Sequence, residues 1–280
     1  MKIVREIEEM REITSQARRE GKRVALVPTM GYLHAGHVAL LKRGRELGDL
    51  LVMTIFVNPT QFGPSEDFTT YPSDIKGDMG KAERAGVDII FQPDGEALYP
   101  EGFQTFVEVR RLQKNLCGLS RPGHFVGVAT VVLKLFNIVR PDVAIFGEKD
   151  YQQLAVIRRM VSDLHLDIEV EGHSIVREPD GLAMSSRNSY LSPYERASAL
   201  LLHRAICRGR ELFESGERAA AIVIDGMKEV LSREPTVAVE YVKVCDCETL
   251  DDINEMREGT LLAVAARIGR TRLIDNTVVI

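Results

Sequence analysis

Two histidines, His34 and His37, stand in the run Pro28-Thr29-Met30-Gly31-Tyr32-Leu33-His34-Ala35-Gly36-His37. On a helix a spacing of three places both imidazoles on one face. Two ring N–H groups beside a helix N-terminus, with its unpaired backbone donors and positive dipole end, suit a phosphate. Such donors also stabilise the charge that grows while phosphorus is attacked. Gly36 between them keeps side-chain bulk away from an approaching nucleotide. Two plainer readings stand beside this one. A zinc pair would need third and fourth ligands, and no matching cluster is evident. Two unrelated surface histidines would need nothing.

Three further polar runs carry candidate chemistry. In Phe56-Val57-Asn58-Pro59-Thr60-Gln61-Phe62-Gly63, the amides of Asn58 and Gln61 could fix a small polar substrate; the alternative is a simple Asn-Pro turn. In Phe146-Gly147-Glu148-Lys149-Asp150-Tyr151-Gln152-Gln153, Lys149 could neutralise phosphate, Asp150 could bind a ribose hydroxyl and Gln153 could face an acyl substrate. The alternative there is a set of charges on a solvated loop. Met184-Ser185-Ser186-Arg187-Asn188 offers hydroxyls and a guanidinium suited to a polyphosphate. Its alternative is a polar linker that caps the next helix.

The elements around these runs read as α/β. Val24–Met30, Leu50–Val57, Val87–Phe91 and Val143–Gly147 are short, largely apolar runs, Ile168–Val176 reads as a further strand, and helical patterns over Ile7–Arg19, Val38–Glu46, Asp74–Ala85 and Tyr151–Leu164 separate most of them. Fully apolar strands alternating with helices predict a parallel sheet buried on both faces. Phe125–Val139 is rich in valine, yet it is too long for an ordinary strand and is assigned to a helix. In open α/β sheets ligands bind at the carboxyl ends of strands, and the first three polar runs follow strands. After about Arg177 the pattern changes. Ser192-Pro193 opens a helix through Phe213, Ala219–Ser232 forms another, and three apolar stretches then read as antiparallel strands. The expected domains are 1–176 and 177–280, with the Met184–Asn188 run near their boundary, where a closing lid would reach a nucleotide.

The bulk figures exclude some classes. With 280 residues, 45% of them hydrophobic and 28% charged, the chain has ordinary globular composition. A net charge of -5 argues against a general nucleic-acid binder. No apolar run approaches the roughly 20 residues that span a membrane, and the charged N-terminus has no signal-peptide core, so a cytoplasmic protein is expected. Cys117, Cys207, Cys245 and Cys247 fit no metal or redox spacing and read as free thiols.

Taken in order, PTMGYLHAGH, IFVNPTQFG, RPGHFVGVATVV, FGEKDYQQ and REPDGLAMSSRNSYLS resemble the pantothenate synthetase family over roughly residues 24–200. HAGH is similar to the HIGH signature of the nucleotidyltransferase superfamily, with Ala35 in place of Ile. MSSRN resembles its KMSKS-like lid motif without the lysines. The resemblance implies a Rossmann-like parallel-sheet domain, a smaller C-terminal α+β lid domain and a homodimer. It implies ATP-dependent joining of pantoate to β-alanine through a pantoyl-adenylate, with AMP and pyrophosphate released and Mg²⁺ carried on the phosphates. Met30, His34, His37, Lys149, Met184, Ser185, Ser186 and Arg187 fall where the family handles ATP and its phosphates. Gly147, Asp150 and Val176 fall on adenosine. Gln61 and Gln153 match the pantoate glutamines, Asn58 lies near the phosphate and β-alanine region, and Arg121 and His124 match positions close to the substrates. The nearest rivals are another nucleotidyl-transferring enzyme of the same fold and a non-catalytic ATP-binding module.

Overall fold

The computed structural model describes residues 1–64 and 66–280. A short strand, β1 (Lys2–Val4), precedes α1 (Ile7–Arg19). The expected strands then become β2 (Val24–Thr29), β3 (Leu50–Ile55), β4 (Ile89–Phe91), β5 (Val143–Gly147) and β6 (Glu169–His173). Between them lie α2 (Ala35–Leu47), α3 (Ile75–Arg84), the short α4 (Gly95–Leu98) and α5 (Cys117–Ser120), α6 (His124–Val139) and α7 (Tyr151–Asp163). All six strands are parallel, in the order β1-β4-β3-β2-β5-β6. Residues of β2, β3 and β5 such as Leu26, Val52 and Ala144 are wholly buried, as strands covered by helices on both faces must be.

This order places a topological switch point between β2 and β5. From β2 the chain winds outward through β3 and β4; β5 and β6 lie on the other side. The register pairs Thr29 with Ile55, and Ala25 with Val143, so the same offset brings Gly147 level with Thr29. The loops that leave β2, β3 and β5 therefore start from one edge of the sheet, where α/β proteins bind ligands.

The first unit comprises residues 1–110, 121–148 and 153–174; the second comprises 111–120, 149–152 and 175–280. In the second unit α8 (Pro193–Glu214) and α9 (Ala220–Leu231) pack with an antiparallel sheet of β7 (Val237–Asp246), β8 (Thr260–Ile268) and β9 (Thr271–Val278). Ser192 caps α8 in a reciprocal box with Glu195, and Pro193 follows at the first helical position. The inserted segments are tied to this unit by polar bonds. The buried Gln152 amide accepts from Cys117 N (2.9 Å) and donates to the Leu112 and Asn115 carbonyls (2.7 Å each). Asn115 Nδ2 donates to Leu250 O, and Asn276 Nδ2 to Lys149 O, each at 2.8 Å.

The four cysteines are free thiols. Among the described residues no helix is long and apolar enough to cross a membrane. The 124–139 stretch is a helix, as its length requires, and most of its residues are buried. Helix α2 begins three residues before the predicted start, for a reason that belongs to the site.

Candidate active site

The loop after β2 is built around an acid buried in α3. Gly31 has φ 85° and Tyr32 has φ 51°. Glycine is required at 31 both by that angle and by space, since a Cβ there would lie 3.1 Å from Ile55 Cγ2 and 3.2 Å from Asp78 Oδ2. Tyr32 holds the left-handed conformation because Asp78 Oδ2 accepts its N–H at 2.7 Å while Oδ1 accepts Leu33 N–H at 2.6 Å. Lys81, one turn further along α3, donates to Leu33 O at 2.7 Å. Asp78 and Lys81 lie outside the polar runs of the sequence that carry candidate chemistry. A signal existed: Asp78 lies on the buried stripe of α3 with Ala82, and a buried carboxylate needs donors.

This loop delivers His34 to the N-cap of α2. Its Nδ1 accepts from Gly36 N (3.1 Å), and His37 Nδ1 accepts from His34 N (3.3 Å). A backbone N–H only donates, so each Nδ1 carries the lone pair and each neutral ring has its proton on Nε2. The two rings lie 4.0 Å apart with 34° between their planes. The outcome is a pair of neighbouring Nε2–H donors at the positive end of a 13-residue helix.

Asn58 follows β3 and is almost wholly buried. Its Oδ1 accepts from Thr60 N (3.3 Å) and Thr60 Oγ1 (2.9 Å); its Nδ2 donates to Gln61 Oε1 (3.1 Å) and Gly127 O (3.2 Å). The turn expected of Asn-Pro is therefore present, and the Asn58 amide also orients that of Gln61. Gln61 Nε2 points at Met30 Sδ, 3.2 Å away. A thioether is a weak acceptor, so a hydroxyl or carboxylate oxygen offers this amide a better partner. Gly127 lets α6 lie directly on the loop, because a Cβ there would sit 2.3 Å from Thr60 O.

Arg121 and His124 precede and open α6. Arg121 forks onto Glu66, with Nε–Oε1 and Nη2–Oε2 both 2.7 Å. Burial works to raise the Glu66 carboxyl, but hydrogen bonds and charge from Arg121, with the Gly63 N–H, outweigh it and hold the group at about 2. Met30, His34, His37, Asn58, Gln61, Arg121, His124, Gly147 and Gln153 all belong to the first unit. Its direct side-chain bonds join Met30, Asn58 and Gln61, and join Arg121 and His124 to the Gln61 backbone.

Lys149, Asp150, Val176, Met184, Ser185, Ser186 and Arg187 belong to the second unit. Lys149 Nζ lies 3.9 Å from Asp150 Oδ2. Val176 O accepts from Met184 N (3.0 Å), closing a small hairpin. Two ion pairs brace it. Arg177 forks onto the buried Asp275 (2.7 and 2.9 Å) and also donates to Gly181 O; Arg196 bridges Glu178 (2.8 Å) and Asp180 (2.6 Å). Asn188 Nδ2 donates to Glu178 Oε1 (2.8 Å) and Ala183 O (3.1 Å), and Ser185 Oγ accepts from Arg187 N (3.3 Å). The Ser185–Arg187 turn thus stands on a polar framework completed by Arg196 and Asp275, two residues outside the motifs of the sequence.

A doubly wound parallel sheet, with paired imidazole donors heading the helix at its switch point, defines an α/β protein whose strand ends offer an arrangement suited to an anionic ligand. The chain matches the family model for pantoate-beta-alanine ligase over residues 2–278, and it belongs to the pantoate–β-alanine ligase family. It is 55% identical to the pantothenate synthetase of Geobacter sulfurreducens over 278 residues, 99% of this chain and 98% of that one. It is 54% identical to the pantothenate synthetase of Heliobacterium modesticaldum over 279 residues, covering 100% and 99%. The crystal structure of pantothenate synthetase from Thermus thermophilus superposes with a TM-score of 0.95 at 45% identity, covering 99% of each chain. A pantoate-beta-alanine ligase from Francisella tularensis, complexed with beta-gamma ATP and beta-alanine, superposes with a TM-score of 0.82 at 30% identity, covering 99% and 97%.

Proposed function

We propose that the chain condenses pantoate with β-alanine at the expense of ATP, through a pantoyl-adenylate, and releases AMP and pyrophosphate. Family membership along almost the whole chain supports the overall reaction. The observation that carries the first half-reaction is the pair of Nε2–H donors at the start of α2.

A carboxylate is a poor acyl donor until its oxygen is made a leaving group. A pantoate carboxylate oxygen attacks the α-phosphorus of ATP, the bond to the β-phosphate oxygen breaks, and pyrophosphate departs. The attacking carboxylate is already ionised, so this step needs alignment and charge neutralisation rather than a base. His34 and His37 supply uncharged donors to phosphate oxygens, and each well-aimed donor is typically worth about 100–1000-fold. Gln61, oriented by Asn58, and Gln153 hold pantoate. In the second unit Lys149, Met184, Ser185, Ser186 and Arg187 are assigned to ATP and its phosphates, and Asp150 and Val176, with Gly147 of the first unit, to the nucleoside. ATP is proposed to bind as its magnesium complex, because magnesium readily takes phosphate oxygens and water as ligands. In the second half-reaction the unprotonated amine of β-alanine attacks the acyl carbon, AMP leaves, and the new amide nitrogen loses a proton. The working form is proposed to be a cytoplasmic homodimer, which sedimentation would show as twice 31.3 kDa.

Product analysis tests the reading. ATP, pantoate and β-alanine should yield pantothenate, AMP and pyrophosphate in equal amounts. Oxygen-18 placed in the pantoate carboxylate should appear in AMP. ADP as product, or label absent from AMP, contradicts an acyl-adenylate route.

A further inference from the structure

The loop that carries Gln61 is anchored beyond that residue by Phe62, whose ring centroid lies 5.5 Å from that of Phe68 and 6.0 Å from that of Tyr71. Its 3₁₀ turn, Pro59–Gln61, buries none of its residues. Polar bonds therefore set the position of the turn itself, beside its close approach to α6 at Gly127. On the side-chain side Asn58 orients the Gln61 amide, as described above. On the backbone side the Gln61 carbonyl oxygen takes two donors, His124 Nδ1 at 2.8 Å and Arg121 Nη2 at 3.4 Å.

These two donors are themselves held. A carbonyl only accepts, so His124 carries its proton on Nδ1, and its Nε2 lone pair then receives Arg121 Nη1 at 2.9 Å. Arg121 in turn is gripped by both oxygens of Glu66. Glu66 closes its own turn as well: its N–H donates to Gly63 O at 3.0 Å while Oε2 accepts Gly63 N–H at 3.2 Å. The carboxylate therefore joins the far end of the Gln61 loop to the start of α6 through one planar guanidinium. Lysine cannot replace that guanidinium, because a single ammonium lacks its rigid fork.

We infer that Glu66, acting through Arg121 and His124, is a positioning residue that holds Gln61 in place for pantoate. Arg121 and His124 are then parts of the clamp and not groups that touch pantoate. The inference rests on Gln61 being the pantoate amide. Its consequence is selective. A loosened Gln61 weakens pantoate binding, while the nucleotide donors on α2 keep their own supports in Asp78 and the α2 cap.

The test is steady-state kinetics on Glu66→Gln and Arg121→Lys beside the unaltered enzyme, varying each substrate in turn. Each variant should raise the KM for pantoate about tenfold, with the KM for ATP changed less than about twofold and the thermal transition retained. The double variant should be little worse than either single one, because both break one chain of contacts. A pantoate KM within twofold of the parent in both variants overturns the clamp. An equal rise for all three substrates overturns it too, since that is general loosening. Failure of the unaltered enzyme to make pantothenate sinks the functional reading, and the clamp with it; a normal parent with unmoved variants sinks the clamp alone.

Discussion

At the scale of the residue, His34 has two roles that substitution can separate. Its Nδ1 caps α2, and its Nε2–H is the proposed phosphate donor. His34→Ala removes both. It should slow single-turnover formation of the adenylate by at least about tenfold. It should also cost about 1 kcal/mol of stability, the usual worth of a lost N-cap. Asparagine is among the best N-cap residues and has no imidazole. His34→Asn should therefore recover the stability and leave the rate depressed. Recovery of both would show that the imidazole serves only as a cap, and loss of neither would remove His34 from the site. Histidine is an unusual N-cap, and this explains why sequence reading started α2 at Val38 and not at Ala35. The spacing of the two rings was legible; that both Nδ1 atoms would be spent on backbone N–H groups was not, because it depends on the turn that precedes them.

At the scale of the element, that turn is imposed by α3. Asp78 offers two carboxylate oxygens to two successive backbone N–H groups from a fully buried position. Asp78→Asn keeps the shape but turns one acceptor into a donor facing a donor. A buried polar group left unsatisfied costs about 1–3 kcal/mol. The expected result is a stability loss in that range. Adenylation should slow as well, because the loop from Gly31 to His34 loses one of the two bonds that hold the turn at Tyr32, which has positive φ. Equal thermal transitions and equal single-turnover rates would show that the loop is fixed by other contacts. The same contrast explains which elements were legible. Strands β2, β3 and β5 announce themselves as apolar runs, and α6 by its length. Strand β1 is three residues long with only Val4 buried, too short to show a period. The supports of the site, Asp78, Lys81 and Glu66, are charged residues outside the recognised motifs, and single charges in a sequence look like solvated surface until their partners across the fold are known. The Asp275 side chain, paired with Arg177 from almost the other end of the second unit's sequence, is a case of the same kind.

At the scale of the whole molecule, each unit has an apolar core of its own. In the first, Val27, Leu51, Met53 and Ile145 of the parallel strands pack with Leu41 of α2. In the second, Leu262 and Val264 of β8 pack with Ala205 of α8 and Met227 of α9. Met53 and Leu262 are both wholly buried. Truncating either to alanine should cost about 2–5 kcal/mol, from lost transfer energy plus the cavity left behind. Separate cores make separate cooperative units, so the loss should be felt locally. In Leu262→Ala, hydrogen exchange should accelerate first in β7–β9 and α8–α9, while amides of β2, β3 and β5 stay protected. Met53→Ala should reverse the pattern. This division matters for the chemistry. The first unit carries the imidazole donors and the Gln61 loop, whereas the second carries Lys149 and the Ser185–Arg187 turn, so each variant should alter the stability of one set of groups alone. If either truncation deprotects both sheets to the same extent at the same rate, the chain unfolds as one unit and the two cores are energetically a single one.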